Sequence, residues 1–269
     1  MTVVRDVPGP PGAATLLLLH GLGATAAMNW GPCFGPLSAH FRVLSIDHRG
    51  HGRGLPARHF SLEQCADDAM AIAEACGAER IVAVGWSMGG MIASLAWRRH
   101  RARVAGLVLC ATGRSFVAKP TARAVQVAYP AVAGLARLAP GLAREGLIRR
   151  SFASRAEPAL RARVRSEYAG HDPIVLASAV RALSDFSAHE WIGGIDVPTA
   201  CIVTTRDGIV PASRQRRLAA AIPGAALFEI DGDHSTCVSQ SDRFVSTLLE
   251  ACRDVEQRTQ TACSAKARG

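Results

Sequence analysis

Short apolar runs punctuate the first 113 residues, and each leads through a loop into a helix-like stretch. "ATLLLLHG" reads as a buried strand ending near Leu19, and "FRVLSIDHRG" as a second ending near Asp47. An unbroken apolar run suits a strand covered on both faces, as in a parallel sheet flanked by helices. "CFGPLSAHF" suits a short helix between them. A helix is expected from about Ser61 to Cys76, with Ser61 as its cap and Leu62, Ala66, Ala69, Met70 and Ala73 along one side. "RIVAVG" follows as a strand, then a helix beginning just after Ser87, then the strand "VAGLVLCAT".

The rhythm breaks at about residue 114. Up to residue 192 there is no clear strand; "ARAVQVAYPAVAGLARLA", "AREGLIRRSF", "EPALRARVRSEYA" and "PIVLASAVRALSDF" carry helical patterns instead. Pro120, Pro130, Pro140, Pro158 and Pro173 are expected to divide them into short helices. Alternation then resumes with the strand "PTACIVTTRD", the helix "SRQRRLAAAI", the strand "ALFEIDG" and the amphipathic helix "SQSDRFVSTLLEACRDV". The polar tail from Glu256 to Gly269 is expected to fray. The pattern implies an α/β class with a mostly parallel central sheet and helices on both faces. Residues 1–113 and 193–255 form the core, and 114–192 form a helical cap insertion.

Composition adds limits. The chain has 269 residues, 49% hydrophobic and 20% charged, enough for one large globular core. No basic segment followed by a long apolar one opens it, and no apolar run is long enough to span a bilayer, so a soluble cytoplasmic protein is the expectation. Its eight cysteines are scattered, without a close pair of metal-site type, and read as buried free thiols. The net charge is +9, and Arg114–Arg165 holds all of it, with eleven Lys or Arg against two Glu. Because 29 of the 31 basic residues are arginine, a solvated Arg-rich surface is the plainest reading. An anionic substrate or carrier is a second reading, and anionic lipid a third, through "LARLAPGLAREGLIRR". Pro140 interrupts that last stretch. No nucleic-acid recognition motif accompanies the charge.

The chemistry centres on "GWSMGG", Gly85 to Gly90, which lies between a strand and a helix. A serine hydroxyl attacks well only when a base takes its proton, and histidine suits that task near neutral pH. A carboxylate then fixes the imidazole tautomer. His234 in "DGDHST" follows the last strand, and Asp207 in "TTRDGIVP" follows the strand before it. His48, His51, His100, His171 and His189 are weaker candidates for the base, and His20 more plausibly orders its own loop. Asp231 and Asp233 are poorer partners for His234, since adjacent side chains usually diverge.

The set formed by His20-Gly21-Leu22-Gly23, the "DHRGHGRG" loop, the Gly85–Gly90 turn, Asp207 and His234 resembles the α/β-hydrolase superfamily. The likeness is to its serine-nucleophile esterase, lactonase and haloperoxidase-like branch with a helical lid. It spans nearly the whole chain and is weakest in the insertion. The resemblance implies that Ser87, Asp207 and His234 are catalytic and that the backbone N–H groups of Leu22 and Met88 form the oxyanion hole. Where relatives often carry glycine three residues before the acid, this chain has Thr204. Trp30 and Trp86 are candidate pocket residues, with a core role as the alternative. The expected substrate is a small acyl ester with an apolar acyl part. Thioesterase, carbon–carbon bond hydrolase, haloperoxidase-like and acyltransferase activities share the same residues, and a non-enzymatic ligand receptor is the reading from another class. The glycine-rich stretches lack dinucleotide and P-loop spacing, and His-Glu-x-x-His is absent, so neither cofactor nor metal is expected. The sequence leaves monomer or homodimer open.

Overall fold

The computed structural model describes residues 3–57, 59–116, 119–142, 145–146 and 158–266. Seven strands form one sheet: β1 (Val4–Val7), β2 (Thr15–Leu19), β3 (Arg42–Ile46), β4 (Ile81–Trp86), β5 (Val104–Cys110), β6 (Thr199–Thr204) and β7 (Ala226–Ile230). Their order is β1-β3-β2-β4-β5-β6-β7. Only β1 runs antiparallel to its neighbour, pairing Val4 with Ile46; the other pairs are parallel. β1 has no counterpart among the expected strands, because its central Arg5 and Asp6 are exposed at the sheet edge and leave no apolar run to read.

The apolar runs bury alternate side chains on opposite faces. Leu17, Leu19, Ala83, Leu107 and Leu109 join one cluster, with α3 (Leu62–Ala75) and α4 (Met88–Arg99). Leu16, Leu18, Val82, Val84 and Val108 join the other, beneath α1 (Ala26–Trp30), α2 (Phe34–Ser38) and the long terminal helix. This is the double coverage that a continuous apolar strand demands. As the spacing predicts, α3 starts where the Ser61 hydroxyl accepts the Gln64 N–H at 3.3 Å, and it buries Leu62, Ala66, Ala69, Met70 and Ala73.

Between β5 and β6 the described residues are helical: α5 (Lys119–Leu138), α6 (Pro158–Ala169) and α7 (Pro173–Asp185). One expectation changes here. Pro130 does not divide its segment but lies inside α5. Its fixed φ suits a helix, and the helix gives up one backbone bond at an exposed position instead of breaking. "AREGLIRRSF" lies mostly outside the described residues. The base of the insertion is closed by a bridge between Ser115 and Ser187 and by the Ala188 N–H donating to Arg114 at 2.8 Å.

After β6 come α8 (Ala212–Ala219), β7, the short α9 (Thr236–Ser239) and α10 (Ser241–Lys266). The tail expected to fray from Glu256 is helical as far as Lys266. Phe244, Leu248, Ala251, Cys252 and Val255 form its buried stripe. The Arg258 guanidinium donates to the carbonyls of Thr199 and Gly224 at 2.7 and 2.9 Å. A polar side chain thus fastens this turn to the sheet, which hydropathy does not register. Among the described residues no helix is long and apolar enough to cross a membrane, and Cys33, Cys65, Cys76, Cys110, Cys201, Cys237 and Cys252 are free thiols.

The insertion meets the core at four buried histidines. His171, between α6 and α7, stands edge-on to His51 with ring centroids 5.1 Å apart. His20 lies 4.3 Å from His48 and 5.3 Å from His51. Neither ring nitrogen of His48 has a hydrogen-bond partner among the described residues. Burial pushes His20 down to about 3 and holds His48 and His51 well below the usual imidazole range; in all three, neighbouring histidines push the same way. The folded state therefore prefers these rings neutral. Their contribution to stability is complete above the unfolded value of about 6.5 and is lost as pH falls from there toward the lowered folded values. Thermal denaturation should show a flat Tm between pH 7 and 8 and a decline below about pH 6, as the unfolding free energy falls by about 1.4 kcal/mol per pH unit for each ring held neutral. His48→Leu should make the decline shallower. An unchanged Tm down to pH 5 would contradict this.

Candidate active site

Three loops at the carboxyl edge of the sheet bring distant residues together. The first leaves β4 at Trp86 and enters α4 at Met88, with Ser87 alone between them. Ser87 has φ 55° and ψ −114°, in the left-handed half of backbone space that a non-glycine residue rarely adopts. The Ser87 N–H donates to the Cys110 carbonyl at 2.8 Å, and the Ser87 carbonyl accepts the Gly90 N–H at 3.0 Å. The turn is this tight because Gly85 and Gly89, two residues away on either side, have no side chains. A Cβ on Gly85 would strike the Gly89 backbone, and one on Gly89 would strike the Leu19 backbone of the neighbouring strand. Strain of this kind costs roughly 1–3 kcal/mol and is kept only where the surroundings enforce it.

The second loop, after β6, holds Asp207. Its Oδ1 accepts the backbone N–H groups of Ile209 and Val210 at 2.8 and 2.9 Å. Its Oδ2 accepts from the Thr204 hydroxyl at 2.8 Å, from Gln215 Nε2 on α8 at 3.1 Å and from His234 Nδ1 at 2.7 Å. Burial alone would raise the carboxyl pKa, but the His234 ring, the Val210 amide and the Thr204 hydroxyl together hold it below the usual aspartate range. Thr204, which takes the place of a common glycine, is thus more than a turn detail: its hydroxyl holds the acid. Gln215, wholly absent from the motif reading, also donates to Thr204 Oγ1 and to the Val210 carbonyl.

The third loop, after β7, carries His234. Its Nε2 lies 2.9 Å from Ser87 Oγ. With Nδ1 donating to Asp207, Nε2 is left as acceptor for the serine proton. All three residues are buried: Ser87 is 8% exposed, His234 7% and Asp207 6%. The competing acids are otherwise engaged. Asp233 accepts from the Ser235 N–H and hydroxyl, and Asp231 pairs with Arg206. Of the other histidines, His100 pairs with Asp67 and His189 reaches Ser115.

Met88 opens α4, so its N–H has no acceptor within the helix and sits at the helix's positive end. Leu22 follows Gly21, whose Cα region lies against Ser87: a Cβ there would be 3.5 Å from the serine Cβ. The Leu22 side chain packs with Ala24, Met28, Val164 and Leu176, so residues of α6 and α7 cover the loop that carries it. Trp86 places its ring 5.8 Å from that of His234 and 5.0 Å from Phe244, backing the imidazole. Trp30 is wholly buried, 6.0 Å from Phe244, and packs in the core. Among the described residues no group of three or more His, Cys, Asp or Glu is arranged to hold a metal ion.

Known proteins share this plan. The alpha/beta hydrolase fold family model matches residues 14–239. A pimeloyl-acyl-carrier-protein methyl ester esterase from Chromobacterium violaceum is 31% identical, over 87% of this chain and 92% of its own. A putative carbamate hydrolase from Variovorax paradoxus is 30% identical, over 93% and 96%. Among solved structures, the enol-lactonase from Burkholderia xenovorans LB400 is similar with a TM-score of 0.79 at 28% identity, covering 94% of this chain and 96% of that one. A thermophilic esterase from Thermogutta terrifontis has a TM-score of 0.80 at 26% identity, covering 94% and 93%. The family match over most of its length, joined to this sheet and this serine turn, makes the chain a member of the α/β-hydrolase family.

Proposed function

We propose that the protein hydrolyses carboxylic esters through an acyl-enzyme, with Ser87 as nucleophile, His234 as base and Asp207 as the carboxylate that orients it. The observation that carries this reading is the unbroken hydrogen-bonded line from Ser87 Oγ through both nitrogens of His234 to Asp207. Ser87 Oγ attacks the ester carbonyl carbon while His234 Nε2 takes its proton. The oxygen that becomes negative is met by the N–H groups of Met88 and Leu22. The tetrahedral species collapses, His234 gives the proton to the departing alkoxide, and the acyl group stays on Ser87. Water then attacks with His234 as base, the free acid leaves and Ser87 regains its proton. Asp207 stays ionised throughout, held so by its five donors.

The insertion acts as a lid in this reading. Val164 and Leu176 of the lid pack on the Leu22 loop, which favours an apolar acyl part. A second reading concerns what carries the acyl part of the substrate. Arg123 and Arg137 on α5 and Arg161 and Arg163 on α6 are exposed. The relative named as a pimeloyl-acyl-carrier-protein methyl ester esterase acts on an acyl group borne by a carrier. The two together support an acyl ester presented on an anionic carrier.

Ser87→Ala should lower kcat/KM on p-nitrophenyl butyrate by at least about 10⁴-fold with Tm preserved. Asp207→Asn should lose about 10³- to 10⁴-fold, through the wrong imidazole tautomer. Wild-type rates in folded Ser87→Ala would end the proposal. For the carrier reading, Arg161→Glu/Arg163→Glu should lower kcat/KM at least about 5-fold on a carrier-borne methyl ester while leaving the neutral ester unchanged, and more strongly at low salt. Equal loss on both substrates would mean lid damage and would remove the carrier reading.

A further inference from the structure

Asn29 makes contacts that the reaction as written leaves unused. It lies on α1 and is 4% exposed. Its Oδ1 accepts the Gly21 N–H at 2.8 Å, and its Nδ2 points at Cys237 Sγ, 3.6 Å away. Cys237 belongs to α9, which begins two residues after His234. One buried amide therefore touches both the loop of one oxyanion donor and the helix that follows the base.

The consequence follows from peptide geometry. In a trans peptide the carbonyl and the N–H point in opposite directions, and the chain has no cis peptide bond among the described residues. The Leu22 N–H shares its peptide plane with the Gly21 carbonyl. That carbonyl lies 2.8 Å from His20 Nδ1 and accepts the Ala24 N–H at 3.3 Å. His20 Nε2 accepts the His48 N–H at 2.9 Å, which leaves the proton on Nδ1, so Nδ1 is the donor to Gly21. The peptide on the other side of Gly21 is held through its N–H by Asn29. With both planes fixed, the direction of the Leu22 N–H is fixed too. Asn29 itself is anchored, since the α1 N-terminus is tied by the Thr25 cap to Met28 at 3.2 Å and by Asp47 Oδ1 to the Ala26 N–H at 2.7 Å.

We propose that Asn29 is a positioning residue for the oxyanion hole: it sets the Gly21 peptide, and through it the Leu22 N–H, relative to Ser87 and the His234 loop. The proposal rests on the ester-hydrolase reading. An oxyanion donor acts only if it is already aimed where charge develops, so a small rotation of this peptide costs turnover and leaves ground-state binding intact.

The test is Asn29→Ala in the full-length chain, with steady-state kinetics on p-nitrophenyl butyrate. The expected result is a kcat lowered about 10- to 100-fold with KM within about 2-fold. Affinity for a trifluoromethyl ketone should fall by a similar factor, while affinity for butyrate is unchanged. Cys237→Val, which removes the second contact at similar volume, should lower kcat by about 2- to 5-fold, and the double variant should be no worse than Asn29→Ala. A folded Asn29→Ala with wild-type kcat overturns the proposal, and so does a parallel loss of ketone and butyrate affinity. Should Asn29→Ala fail to fold, the folded Cys237→Val decides: wild-type kcat overturns the proposal, and reduced kcat at constant KM supports it. Full activity in Ser87→Ala would instead sink the ester-hydrolase reading, so the two failures are distinguishable.

Discussion

The close passage of backbone against backbone between β4 and α4 sets the geometry of everything at the active edge of this protein. Gly85 and Gly89 touch each other's turn, and Gly89 also touches Leu19 on the next strand. No side chain fits there, so Ser87 alone turns the corner, at φ 55°. The hydroxyl is thereby lifted from the sheet, and the first N–H of α4 opens beside it. The sheet order places β2 and β5 on either side of β4, so the loop of Leu22 is an immediate neighbour. A strained residue stays put because seven strands and two apolar layers enforce it.

The electrostatics depend on that fixed frame. A carboxylate buried as deeply as Asp207 would ordinarily take up a proton. Five donors keep it ionised, three of them side chains from Thr204, Gln215 and His234. The ionised acid fixes the imidazole tautomer, and Trp86 behind the ring limits its tilt. His20, His48 and His51 show the opposite solution, since burial without a bonded carboxylate keeps these imidazoles neutral. The same residue type thus bonds a carboxylate and a serine hydroxyl in one setting and is packed among other imidazoles in the other.

Most of the sheet, and the three residues Ser87, Asp207 and His234 that meet at its edge, were legible in the sequence. Doubly buried strands leave apolar runs, and the serine, acid and base each follow one of those runs at the same edge. Other features were not legible, for identifiable reasons. β1 is a four-residue edge strand with exposed central charges. Pro130 is tolerated because an exposed helix can lose one bond without breaking. The terminal helix continues past Glu256 where Arg258 bonds to the carbonyls of Thr199 on β6 and Gly224 before β7, a contact that hydropathy does not register. Gln215 and Asn29 act on the site from α8 and α1, at positions where no motif marks a polar side chain as buried. Trp30 showed its size in the sequence but not its direction, and it faces the core.

The central claim is that Ser87 is the one activated nucleophile of an acyl-transfer site. Labelling the intact protein with a fluorophosphonate, followed by intact-mass and peptide mass spectrometry, tests it most directly. The account predicts a single adduct, on Ser87, that forms rapidly in the wild type and slowly in Asp207→Asn. No adduct, or an adduct at another serine with Ser87 unmodified, would contradict it.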